Sequence, residues 1–144
     1  MYDPHADTRL LVHVIWTTRH RAPLLPPSLD AHLKGLLVDA LPARCAALLA
    51  FGASGDHVHV LLHLAATGRL CDAVKAMKGA SARRWNQQLF GGSATLYWQG
   101  GYWARSANAD DVEALTAYIL DQRAHHATQQ RPEPWEITAK LTTG

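Results

Sequence analysis

The chain has little of several things, and each shortage narrows the field. Only two cysteines, Cys45 and Cys71, occur in 144 residues. That rules out a disulfide framework and predicts a reducing, cytoplasmic setting. No run of about 18 apolar residues is present, so nothing in it is expected to span a membrane. The opening Met1-Tyr2-Asp3-Pro4-His5 lacks the basic-then-apolar layout of a secretory signal. No glycine-rich phosphate loop occurs, which argues against an ATP site. Charge of one sign is also scarce: 14 Lys and Arg against 12 Asp and Glu leave a formal +2. A nucleic-acid partner would therefore have to be held by a local basic patch. Repeats, linkers and low-complexity tracts are missing too. With 48% hydrophobic residues, the expectation is one globular domain spanning 1–144.

What is present centres on one stretch, residues 55–64, GDHVHVLLHL. As a β-strand it has two faces, because side chains alternate with period two. Val58, Val60, Leu62 and Leu64 suit a core. His57, His59 and His63 point the other way, with Leu61 among them. Histidines at i and i+2 stand about 6–7 Å apart at Cβ, close enough for both rings to reach one metal ion. Taken alone, such a pair is as readily two half-buried strand histidines. A histidine-triad nucleotide hydrolase would need histidine at position 61, where leucine stands.

Around this strand the remaining elements follow in order. Residues 10–18, LLVHVIWTT, are β-branched and aromatic and predict a first strand with His13 opposite its apolar face. The basic loop Arg19-His20-Arg21 and a proline run follow. Ser28 is the expected N-cap of a helix from Leu29 to Leu41, closed by Pro42. Residues 46–53 are short and apolar and suit a strand or a helix end; Gly52 and Gly55, which bound them, favour a strand, and the histidine strand follows over 57–64. Residues 70–89 predict a second helix with Leu70, Val74, Met77, Ala80, Ala82 and Trp85 along one stripe, ended by Gly91-Gly92. Residues 97–105, YWQGGYWAR, predict an aromatic strand pair or one bulged strand, its aromatics mostly core. A third helix, capped by Asn108 or Asp110, is expected over about 111–127. Trp135 is expected to anchor the tail. Strand, helix, strand, strand, helix, strand is the ferredoxin-like α+β order, βαββαβ, here with an additional C-terminal helix. In that topology the first and third strands are neighbours, which puts His13 beside the His57/His59 face.

The last helix carries Tyr118 and Gln122 at i and i+4, one above the other on a single face. A hydroxyl and an amide oxygen are thus delivered together. The plainer reading is a core tyrosine beside a solvated glutamine.

The pairing of GDHVHVL (55–61) with YILDQRAHH (118–126) resembles the single-tyrosine HUH transposases of small bacterial insertion sequences, with the REP-associated tyrosine transposases as close relatives. VHVIWTTRHR (12–21), MKGASARRW (77–85) and LYWQGGYW (96–103) resemble the same family, in the same order. The resemblance implies cleavage and rejoining of single-stranded DNA at hairpin-bearing ends. It assigns a divalent cation, Mg²⁺ or Mn²⁺, to His57, His59 and Gln122, and makes Tyr118 the nucleophile that forms a 5′-phosphotyrosine. It implies a homodimer whose tyrosine helix can serve the other subunit, with Ser106-Ala107-Asn108-Ala109 as a candidate hinge. Arg19, Arg21, Lys75, Lys78, Arg83 and Arg84 are the candidate DNA contacts, a solvated helix face being the plain alternative for the last four. The rival function is a non-catalytic, domesticated module of the same fold that binds single-stranded nucleic acid.

Overall fold

The computed structural model describes residues 6–89 and 96–124. Its elements are β1 (Leu10–Thr17), α1 (Asp30–Ala40), β2 (Ala46–Ala53), β3 (His57–Leu64), α2 (Leu70–Leu89), β4 (Trp103–Ala107) and α3 (Val112–Leu120). The sheet runs β2-β3-β1-β4, and each neighbouring pair is antiparallel. This is the ferredoxin-like arrangement, with β1 and β3 central.

The two helices that follow β1 and β3 cover one face. Alternation sends Val14 and Trp16 of β1 and Val58, Val60 and Leu62 of β3 to that side. They meet Leu33, Leu36 and Leu37 of α1 and Val74, Met77 and Trp85 of α2 in one buried cluster. Each such fully buried aliphatic contributes roughly 1.5–3 kcal/mol relative to an exposed one. Ser81 is buried within the α2 stripe, where its hydroxyl accepts a hydrogen bond from Trp98 Nε1 at 3.0 Å. The opposite face carries a far smaller cluster of Ala50, Leu61 and Ile119, lidded by α3.

Several expectations shift. Ser28 does not cap α1: it lies in a 3-10 turn, Pro27–Leu29, and Leu29 occupies the cap position without a side-chain bond. Neither Asn108 nor Asp110 caps α3 through its side chain; a 3-10 turn, Ala109–Asp111, precedes it. α3 stops at Leu120, short of the expected end. At the break the Tyr118 carbonyl accepts both the Asp121 N–H, at 3.3 Å, and the Gln122 side-chain amide, at 2.9 Å. That competition interrupts the regular ladder before the chain resumes helical form at 122–124. The aromatic segment is no strand pair. Trp98 makes one bridge to Thr18, Gly101 turns the chain with φ 87°, and β4 begins only at Trp103. Tyr97 and Tyr102 are exposed rather than core. Half of the candidate hinge is not free either, since Ser106 and Ala107 pair with Val12 and Leu11. The Gly91-Gly92 stop, His125, His126 and the Trp135 anchor lie outside the described residues. No helix among the described residues is long and apolar enough to cross a membrane.

Candidate active site

β3 places His57 and His59 side by side on the α3 face, with ring centroids 5.1 Å apart. Both are buried, at 1% and 0% exposure. A buried imidazole needs a hydrogen-bond partner, and each has one on Nδ1. His57 Nδ1 lies 2.7 Å from Asp56 Oδ1, and the other carboxylate oxygen accepts Arg21 Nε at 3.0 Å. Burial alone would raise the Asp56 carboxyl. The hydrogen bonds from His57 and Arg21, with the charge on Arg21, outweigh it and hold the group at about 2, against an ordinary 3.8. His59 Nδ1 lies 2.9 Å from His13 Nε2. The register explains that bond: His59 faces Ile15 and Leu61 faces His13, so the two histidines are diagonal neighbours on one face. A carboxylate or other acceptor on Nδ1 is the usual outer arrangement for a histidine that binds a metal through Nε2.

Arg21 is aimed at Asp56 by a tight turn. His20 and Arg21 both adopt left-handed backbone angles, φ 58° and 55°, which non-glycine residues populate sparsely.

A third polar group comes from just past the end of α3. Gln122 is 1% exposed. Its Nε2 donates to the Tyr118 carbonyl, and its Oε1 is buried with no hydrogen-bond partner. An orphaned buried acceptor costs about 1–3 kcal/mol, a cost that coordination would remove. Gly52 makes this approach possible. It pairs with His59 across β2 and β3, and a Cβ there would lie 1.7 Å from the Ile119 carbonyl oxygen and 3.1 Å from Gln122 Cγ. Any side chain at position 52 would occupy the space where the helix sits. Tyr118 is half-buried, its ring 5.7 Å from His59 and 6.4 Å from His13, edge to face with both. Beyond it, Arg123 grips Asp30 of α1 through two bonds of 2.6 and 3.3 Å.

Two imidazoles with partners on Nδ1 and one unpartnered amide oxygen fit a divalent cation. Among the described residues no group of three or more His, Cys, Asp or Glu could hold a metal ion, so a site here would have to draw on the glutamine oxygen. Three neutral donors would leave the charge of such an ion to be balanced by other oxygens, and imidazole would suit Mn²⁺ as well as Mg²⁺.

The structure brings Tyr118, His57, His59 and Gln122 together. The basic candidates are dispersed. Arg21 is tied to the site through Asp56, and exposed Arg19 adjoins it in the chain. Lys75, Lys78, Arg83 and Arg84 belong to α2, on the other side of the sheet. Lys75 and Arg83 are exposed and Arg84 is half-buried. Lys78 donates to the carbonyls of Gln99 and Gly101 at 2.7 and 2.8 Å, and burial lowers its pKa. His63 donates to, and is held by, the Thr8 carbonyl at 3.0 Å. Reading the residues in isolation missed Asp56 and Gly52; it placed His13 beside the histidine pair, as found, but gave it no role. An acid directly before His57 and a glycine opposite His59 were the available signals.

The helix that carries Tyr118 thus lies across the histidine-bearing central strand of a ferredoxin-like sheet. Residues 6–122 match the family described as Transposase IS200 like, and the chain belongs to that family. It is 29% identical over 121 residues to the ISDra2 transposase TnpA of Deinococcus radiodurans, covering 79% of this chain and 84% of the relative. A solved structure described as a transposase from Deinococcus radiodurans R1 matches with a TM-score of 0.64 and 28% identity, covering 85% of this chain and 98% of that one. A REP-associated tyrosine transposase bound to a REP hairpin shares the fold, with a TM-score of 0.63 and 14% identity over 91% of this chain and 76% of that one.

Proposed function

We propose that this transposase cleaves and rejoins single-stranded DNA at hairpin-bearing ends, in the bacterial cytoplasm, with Tyr118 as nucleophile and His57, His59 and Gln122 as ligands of Mg²⁺ or Mn²⁺. The observation that carries the reading is the buried, unpartnered Gln122 oxygen, held just past the break in α3 by its amide's bond to the Tyr118 carbonyl, while the Tyr118 ring lies against His59. A cation bound there supplies polarisation and orientation of the scissile phosphate. Tyr118 Oη attacks phosphorus in line. The tyrosine O–P bond forms as the bond to the 3′-oxygen breaks, the phenolic proton departs, and the 3′-oxygen leaves as a hydroxyl. Attack by a different 3′-hydroxyl on the 5′-phosphotyrosine reverses the step and joins new strands. The ester conserves the bond energy, so no nucleotide is consumed. Asp56, with Arg21 behind it, holds the His57 ring in place. Arg19, Lys75, Arg83 and Arg84 are proposed DNA contacts, Lys78 being held by the Gln99 and Gly101 carbonyls, and the protein is proposed to act as a homodimer.

The test is a covalent-adduct assay with labelled single strands copied from the DNA flanking the gene, run on a denaturing gel with Mg²⁺ or Mn²⁺. We expect an ion-dependent adduct that maps to Tyr118 by peptide mass. Tyr118→Phe loses it by a factor on the order of 10³ or more while DNA binding persists. Hairpin binding without any adduct would instead identify a non-catalytic binding module.

A further inference from the structure

We infer that His13 is a positioning residue that fixes the proton of His59 on Nδ1 and so presents Nε2 to the cation; this inference rests on the metal-site reading above. The bond between His13 Nε2 and His59 Nδ1, 2.9 Å long and buried, can run in two directions. If His13 donated, His59 would carry its proton on Nε2, and that nitrogen would have no lone pair for a metal. If His59 donates, Nε2 of His59 is a ligand and His13 is the acceptor. Only the second direction is compatible with His59 as an Nε2 ligand, and it requires a neutral His13 with its proton on Nδ1.

The surroundings of His13 suit that task. The residue is 8% exposed. Its ring stacks on His59 at 5.1 Å and meets Trp103 edge to face at 5.3 Å. Arg105 lies over the Trp103 ring at 4.8 Å. β4 therefore braces the imidazole, which in turn braces His59. The two ligand histidines thus receive different support, a charged carboxylate for His57 and a neutral ring for His59. A second carboxylate would have neutralised the site further; a neutral acceptor leaves more of the cation's charge for phosphate oxygens.

The experiment reads the proton directly. Metal-free protein labelled with ¹⁵N-histidine is studied by long-range ¹H–¹⁵N correlation, with His59 identified by the signals lost in His59→Ala. We expect His59 as the Nδ1–H tautomer in the wild type and a mixture of tautomers in His13→Leu. Mn²⁺ affinity, followed by the resonance of the free ion, falls about 10- to 100-fold in His13→Leu, and returns to within about threefold in His13→Gln, which keeps an acceptor oxygen. An Nε2–H tautomer of His59 in the wild type overturns the inference, as does unchanged Mn²⁺ affinity in His13→Leu. If His13→Leu does not fold, the wild-type tautomer and His13→Gln still decide. A wild type that binds no Mn²⁺ sinks the metal site instead, while the tautomer measurement still judges His13.

Discussion

The two faces of the sheet are built to different rules. On one, β1 and β3 send valine, leucine and tryptophan into a thick apolar layer under α1 and α2. On the other, Ala50, Leu61 and Ile119 form a small apolar island, and the buried neighbours are His13, His57, His59 and Gln122. Apolar burial is worth about 25 cal/mol per Å² and asks for no particular partner. Buried polar groups return little net stability and must each be matched. One face therefore contributes most of the cohesion, and that surplus allows the other to hold chemistry, down to a glutamine oxygen left unmatched.

The sharpest way to break this comparison is to truncate one aliphatic on each side. Leu37→Ala, in the thick layer, is expected to cost about 3–5 kcal/mol, and Ile119→Ala, under the short helix, nearer 2 kcal/mol. Equal losses in urea unfolding would erase the distinction. Gly52→Ala comes next. A methyl 1.7 Å from the Ile119 carbonyl oxygen forces α3 off β2. Overpacking of this kind costs about 1–3 kcal/mol, and adduct formation should fall about tenfold or more as Tyr118 and Gln122 move together. Full adduct yield in that variant would show that the helix does not need its seat. The effect confined to one pH range belongs to Asp56, whose side chain is 24% exposed. Its carboxyl is held at about 2 in the folded protein, against 3.8 ordinarily. A depressed acid stabilises fully above the unfolded value and loses that contribution as pH falls through the folded one. Wild type in chelator should therefore exceed Asp56→Asn by about 2 kcal/mol near pH 6, with the gap closing between pH 3.8 and 2. A gap that is constant over that range would mean that the His57 and Arg21 bonds do not depend on the charge.

Much of this architecture is legible in the sequence. The expected spans for β2, β3 and α2 coincide with those found, because alternation, a helical stripe and flanking glycines are local signals. The grouping of His57 with His59 and of Tyr118 with Gln122 follows from the periods 2 and 3.6 alone. What sequence could not display depends on register and on close approach. Nothing local says that His13 lies diagonal to His59, that Arg21 turns back to Asp56, or that Lys78 spends its ammonium on two carbonyls. The premature end of α3 is of the same kind, since Gln122 reads as an ordinary helix residue until its side chain is seen competing for the Tyr118 carbonyl.

Gly52 has a consequence for manufacture, in the engineer's sense. Because the helix rests on bare main chain there, the distance between α3 and the sheet is set by the radii of backbone atoms, which do not vary with rotamer, temperature or neighbouring substitutions. Main chain serves as the datum face from which the tyrosine is measured. Substitutions on the outer surface of α3 should therefore leave the seat of Tyr118 where it is.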